Sequence, residues 1–166
     1  MERALTHSHD IEWPRGRRNI TVEIHTAKSD TEIAACYPVM AELRPHLAEE
    51  TFVERVRSQE RQGYRLAYLT DPSAPVAVAG FRIGESLAWG RYLYVDDLVT
   101  ASNQRSRGYG TALLSWLTEF AAEAGCHQLH LDSGIQRKEA HRFYEREGMQ
   151  TASYHFVKTV VPGTAG

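Results

Sequence analysis

The chain has 166 residues, the span of about one ordinary domain, and is 42% hydrophobic and 24% charged. That balance excludes wholesale disorder, and no run approaches the ~20 apolar residues of a membrane-spanning helix. Lys plus Arg number 19 against 21 Asp plus Glu, a net charge of −2, which argues against a nucleic acid held by overall charge.

Residues 1–18 are polar and basic, without the continuous apolar core of a secretion signal, and read as a loosely held extension of a cytoplasmic protein. The Arg15, Arg17, Arg18 cluster reads as solvated charge, and His7, His9 and Asp10 lack a supporting ligand set, so no metal is expected. Residues 19–27 (NITVEIHTA) alternate Ile20, Val22 and Ile24 with polar residues, the period of a strand covered on one face. Ser29 and Glu32 have capping-box spacing, opening a helix toward Leu43 that Pro38 must kink or restart. Thr51 and Glu54 repeat that spacing before a second helix stopped by Gly63. Residues 64–70 and 76–83 read as strands around an Asp-Pro turn. Cys36 and Cys126 form no CxxC pairing and read as small thiols in a reducing compartment.

The second half is more sharply patterned. Residues 91–100 (RYLYVDDLVT) form a strand broken by Asp96 and Asp97. From Tyr109, the residues Leu113, Trp116, Leu117, Phe120 and Ala124 mark one stripe of an amphipathic helix, ended by Gly125. A strand at 127–132, a short helix at 138–147 stopped by Gly148, and a last strand at 152–160 complete a mixed α/β sheet. No repeat or linker divides the chain. The expected organisation is an extension at 1–18, one domain at 19–161 and a tail at 162–166.

The chemistry concentrates at Arg105-Ser-Arg-Gly-Tyr-Gly-Thr111, directly between a strand and a strongly periodic helix. A helix N-terminus offers unpaired N–H groups and a partial positive charge. Gly108 and Gly110 let backbone approach an anion closely, and Arg105 and Arg107 add mobile donors. The third glycine of a dinucleotide fingerprint would fall at Leu113, a core position, and no GxxxxGK[ST] is present, so nicotinamide and ATP are disfavoured.

The segment LVTASNQRSRGYGTALL resembles the acetyl-CoA signature of the GNAT N-acetyltransferase family, [Gln/Arg]-x-x-Gly-x-[Gly/Ala] after a strand, at Arg105, Gly108 and Gly110. Downstream, Ala140, Phe143, Tyr144 and Gly148 match that family's Ala-x-x-Phe-Tyr-x-x-x-Gly pattern in order and at the usual distance. The resemblance implies a single domain with a mixed, mostly antiparallel sheet, a splayed central strand pair and flanking helices. It further implies acetyl transfer from acetyl-CoA to an amine. Backbone of Val99 and Thr100 would meet the thioester and pantetheine. Backbone amides of Arg107, Gly108, Tyr109, Gly110 and Thr111, with the Arg105 side chain, would hold the pyrophosphate. Ser133, at a strand end, is a candidate cofactor hydrogen bond, and Arg137 would be a further contact, standing where the family often has Asn.

Amine acetylation requires a base for the ammonium and an acid for the departing thiolate. Strict alternation sends Asp96 and Asp97 to opposite faces of their strand, so one of them faces the acyl group. Asp96 is preferred, because it matches the place of bases in some relatives, and Asp97 is the alternative. An ion pair with Arg91 or Arg82 is the competing role for these acids. Tyr144 is the candidate acid, since a tyrosine holds its proton at neutral pH. Arg44 and His46 are placed to read a substrate anion, and His141 and His155 to line the acceptor pocket. The tail most resembles aminoalkylphosphonate and related small-amine acetyltransferases. The expected partner is therefore a small-molecule amine, with no nucleic acid and no membrane, and with a second copy of the chain as a candidate dimer partner. Peptide or protein amines, and a non-catalytic acyl-CoA-binding module, are the alternatives.

Overall fold

The continuous run Val76-Ala-Val-Ala-Gly-Phe81 dictates a strand buried on both faces. In the computed structural model, which describes residues 7–9 and 22–160, that run lies within β4 (Pro75–Ser86), in the interior of the sheet. The other strands are β1 (His7–His9), β2 (Val22–Thr26), β3 (Arg65–Thr70), β5 (Gly90–Thr100) and β6 (Gln128–Leu131). Their spatial order follows the chain, β1 to β6. Neighbours are antiparallel except β5 and β6, which run parallel because α4 (Tyr109–Glu123) crosses between them. The mixed, mostly antiparallel sheet is the expected one, and the β5–β6 pair lies at its end.

Helices cover both faces. The α4 stripe, with Leu113, Trp116 and Leu117 buried, packs on Ile24, Leu69, Ala79, Phe81 and Val95. Phe81 meets Trp116 and Phe120 edge-on, at ring separations of 5.9 and 5.1 Å. On the other face, α1 (Asp30–Ala35), α2 (Tyr37–Leu43) and α3 (Glu49–Glu60) close Ile33, Met40, Phe52 and Val56 over Leu66, Val78 and Val99. Pro38 lies in the first turn of α2, where its missing N–H costs nothing, so the helix restarts there. Ser29 and Glu32 form the expected capping box. The Thr51–Glu54 signal is not a cap: α3 is capped three residues earlier, at Ala48, whose carbonyl accepts from the Thr51 hydroxyl.

Two further expectations change. The extension contributes His7–His9 as a strand paired with β2; Arg15, Arg17 and Arg18 lie outside the described residues. Residues 152–160 form no strand, and Tyr154, Phe156 and Val157 stand exposed. Strand-forming composition alone does not make a strand, and among the described residues of its own unit nothing pairs with this segment. The chain divides after Leu131 into two compact units, and the second carries α5 (Lys138–Arg146). Cys36 is buried and Cys126 half-buried, both as free thiols. Among the described residues no helix is long and apolar enough to cross a membrane. No three His, Cys, Asp or Glu side chains among them converge as a metal site.

Candidate active site

The loop entering α4 is built for close approach by an anion. After β5 the chain makes a 3-10 turn, Ser102–Gln104, held by Glu42 of α2, whose carboxylate accepts from the Ser102 N–H at 2.9 Å. Two left-handed residues follow, Ser106 (φ 61°) and Gly108 (φ 85°), a backbone pattern that turns successive N–H groups toward one concavity. Gly108 caps α4 without a side-chain bond. The first intrahelical bond runs from the Ala112 N–H to the Gly108 carbonyl, at 3.0 Å. The amides of Tyr109 and Gly110 therefore precede the first intrahelical donor, Ala112. Arg105 is 64% exposed with only a distant 4.0 Å approach to Glu42, and Arg107 is exposed as well.

Tyr109 contributes differently from its neighbours. Its ring is buried and its hydroxyl donates to Asp71 in the β3–β4 turn. Burial first, then the Asp71 carboxylate, raises its phenol above the ordinary value. Its side chain anchors the start of α4, which leaves only its amide for a ligand.

The β5 strand opens beside this loop. β6 pairs with Tyr92 to Val95 and stops, whereas β4 continues pairing to Thr100. The Ala101 N–H bonds the Val76 carbonyl at 2.9 Å. Antiparallel alternation from that bond turns the Val99 N–H and C=O toward β4, and those of Leu98 and Thr100 toward the open edge. The expectation that Val99 and Thr100 both offer backbone is thus corrected: Val99 spends its polar groups on the ladder and buries its side chain. Leu98 and Thr100 are the residues whose backbone faces that edge.

The acidic pair is rearranged by a β-bulge. Gly80 pairs with Asp97 and Phe81 with Val95, so Asp96 is an extra residue in β5. A bulge resets strand parity, and Val95 and Leu98 consequently both pack on the α4 side. The two acids do not point to opposite faces. The Asp96 carboxylate accepts from Arg82 Nε at 2.8 Å, and the other end of Arg82 reaches Gln59 of α3 at 3.1 Å. The Asp97 carboxylate accepts from Arg44 Nε at 2.7 Å and from the Tyr64 hydroxyl at 3.0 Å. Both carboxylates therefore lie on the α1–α3 face, each balanced by an arginine. The Tyr64 phenol is pushed well above its ordinary value, first by burial and then by the Asp97 charge, so it stays protonated and donates.

These contacts sort the remaining expectations. Arg82 is the ion-pair partner foreseen for the acids, whereas Arg91 instead bonds the Ala124 carbonyl. Arg44, expected to read a substrate anion, is committed to Asp97 and to the Asp96 carbonyl. Tyr64 beside the acids and Leu98 at the open edge are not singled out by the sequence. The available signal was Gly80, an isolated glycine inside an apolar strand, which marks a bulge or a close approach. A Cβ built on Gly80 would lie 1.9 Å from the Tyr64 hydroxyl.

In the second unit, α5 holds Tyr144 half-buried, its ring 5.3 Å from that of Phe143. Burial raises the Tyr144 phenol, with Arg137 opposing. Among the described residues of this unit its hydroxyl has no hydrogen-bond partner. Ser133 Oγ is buried and also unpartnered. The Arg137 N–H closes a turn on Gly134 at 2.9 Å while its side chain is exposed. His141 lies 3.0 Å from the Gly134 carbonyl, and His155 pairs with Asp132 at 3.0 Å.

Comparison with known proteins places this arrangement. Residues 15–149 match the model of the Acetyltransferase (GNAT) family. The chain is 40% identical over 134 residues to a Bacillus subtilis protein described as an uncharacterized N-acetyltransferase, YhdJ, covering 80% of this chain and 94% of that one. It is 36% identical over 66 residues to the aminoalkylphosphonate N-acetyltransferase of Salmonella typhimurium, covering 40% of this chain and 43% of that one. A solved Bacillus halodurans structure titled as a transcriptional regulator shares the fold, with a TM-score of 0.73 at 23% identity, over 84% of this chain and 99% of that one.

Proposed function

We propose that this chain, which belongs to the GNAT acetyltransferase family, acetylates the primary amine of a small molecule. As a family member it is an acetyl-CoA-dependent N-acetyltransferase. Its acetyltransferase domain is read as residues 19–161, joined in its sheet by His7–His9 from the extension 1–18 and followed by the tail 162–166, and its setting is the cytoplasm. The observation that carries the reading is the junction of α4 and β5. Unpaired helical amides behind two left-handed residues suit a pyrophosphate, and the open β5 edge at Leu98 and Thr100 suits an amide-bearing arm.

In this reading Arg105 and the amides of Arg107 to Thr111 hold the pyrophosphate, and Leu98 and Thr100 bond the pantetheine. Ser133 and Arg137 are further contacts. Acetyl-CoA supplies the activated acetyl group. Asp96 takes the ammonium proton, directly or through water, freeing the nitrogen lone pair for the carbonyl carbon. Its side chain is 26% exposed against 11% for Asp97, so it keeps access to solvent and substrate. As the carbon–sulfur bond breaks, Tyr144 gives its proton to the sulfur, while the acylated nitrogen sheds its second proton through water to restore the phenol, so the products are an N-acetyl amide and the free thiol. The small-molecule acceptor is supported by the similarity to an aminoalkylphosphonate N-acetyltransferase.

The test is thiol release from acetyl-CoA across a panel of small amines, aminoalkylphosphonates, polyamines and peptides. Turnover with a small amine is the expected result. Acetylation confined to peptides would overturn the small-molecule assignment. Tight acetyl-CoA binding without any acceptor would leave an acyl-CoA-binding module instead.

A further inference from the structure

A bulge leaves backbone groups outside the ladder, and those groups need other partners if the strand is to hold one shape. At Asp96 the partner is Arg44, whose Nη2 donates to the Asp96 carbonyl at 3.0 Å while its Nε holds the Asp97 carboxylate at 2.7 Å. The second Asp97 oxygen accepts from the Tyr64 hydroxyl at 3.0 Å. Tyr64 reaches that oxygen only because position 80, opposite the bulge, has no side chain. The Arg82 guanidinium, 5.7 Å from the centre of the Tyr64 ring, holds the Asp96 carboxylate from the other side. One buried tyrosine, one bridging arginine and one nearly buried carboxylate thus enclose the extra residue.

We propose that Tyr64 and Arg44 are positioning residues for acetyl transfer: they clamp Asp97 and the Asp96 carbonyl, fixing the bulge that aims the Asp96 carboxylate. Asp97 is then the hub of the clamp, and proton removal belongs to Asp96. This inference rests on the assignment of Asp96 as base. A lysine cannot replace Arg44, since one ammonium lacks the planar fork that spans a carboxylate and a carbonyl together.

The experiment compares Tyr64→Phe, Arg44→Lys, their double variant, Asp96→Asn and Tyr68→Phe, using the fastest acceptor from the amine panel. Tyr68 is the control, because it loses a comparable phenol bond, to Glu32 at 3.1 Å, on the α1 side of β3. Tyr64→Phe and Arg44→Lys should each lower kcat by about ten- to a hundredfold, the scale of a misaimed reacting group, with the KM for acetyl-CoA unchanged. The double variant should be little slower than the slower single variant, because both act through Asp97. Tyr68→Phe should keep the wild-type kcat. Thermal denaturation of each variant confirms the fold.

Wild-type kcat in Tyr64→Phe and Arg44→Lys, with Asp96→Asn slow, would overturn the clamp and leave the base assignment standing. Fully additive losses in the double variant would also overturn it. Wild-type transfer by Asp96→Asn would overturn both assignments together.

Discussion

The α4 entrance and the acidic bulge of β5 solve opposite problems. The entrance presents backbone: its donors are amides freed by helix geometry and by two left-handed residues, and its arginines remain largely solvated. The bulge presents side chains: two carboxylates whose charges are matched by Arg44 and Arg82 and whose orientation depends on Tyr64. The first can receive any group with the right charge and spacing. The second is tied to its surroundings through Arg44, Arg82 and Tyr64, as a proton acceptor must be held if it is to meet one nitrogen in one place. Binding and chemistry should therefore separate cleanly under mutation.

The largest expected effects fall on chemistry alone. Asp96→Asn and Tyr144→Phe should each slow single-turnover transfer by ~10²–10⁴, the usual span for a positioned proton acceptor or donor, with acetyl-CoA affinity preserved. Because burial raises Tyr144 above its ordinary 10.0, the acid stays protonated through neutral and mildly alkaline pH. Loss of rate through its ionisation should appear only above pH 10, and a Tyr144-dependent fall near neutrality would refute the acid role.

Binding is tested at the other region. Acetyl-CoA at ~100 times its dissociation constant should stabilise the native protein by about 2.7 kcal/mol; the absence of a thermal shift, where NADH or ATP produces one, would break the entrance reading. Gly110→Asp sets a side chain and a negative charge beside the helical amides. It should weaken CoA binding at least about tenfold, roughly 1.4 kcal/mol, while single-turnover transfer at saturating acetyl-CoA changes far less. If Gly110→Asp instead left affinity intact and stopped chemistry, the division of labour between the two regions would be reversed.

The smallest effect calibrates both regions from outside. The Glu32 carboxyl is lowered from 4.5 to about 2, first by the Ser29 amide, then by the Ser29 hydroxyl and the Lys28 amide. A depressed carboxyl stabilises the fold above its unfolded value and loses that contribution as the pH falls through its folded value. Ser29→Ala should therefore cost about 1 kcal/mol at neutral pH. The gap from wild type should narrow between pH 4.5 and 2 in denaturant titrations. Activity should not move.

What the sequence disclosed follows the same division. The entrance was legible because its physics is local: Gly108 and Gly110 sit where strand patterning changes to helix patterning within ten residues. The α4 stripe, the Ser29 cap and the restart at Pro38 were legible for the same reason. The acidic pair was visible as residue types, but its geometry was not. Tyr64 lies 33 positions from Asp97, and Arg44 lies 53. The parity rule that separates two adjacent acids fails once a single residue is inserted into the ladder. Thr51–Glu54 shows the complementary error, a local signal overridden because α3 could begin earlier, at Glu49.

Gly80 turns the bulge into a constraint on how this protein can vary. Any side chain at position 80 displaces the Tyr64 phenol, and a smaller residue at position 64 removes the reason for glycine at 80. The two positions should therefore behave as one inherited unit. A library randomised at position 80 alone, selected for acetyl transfer, should return almost only glycine. One randomised at both positions should recover larger residues at 80 solely in chains that have given up Tyr64.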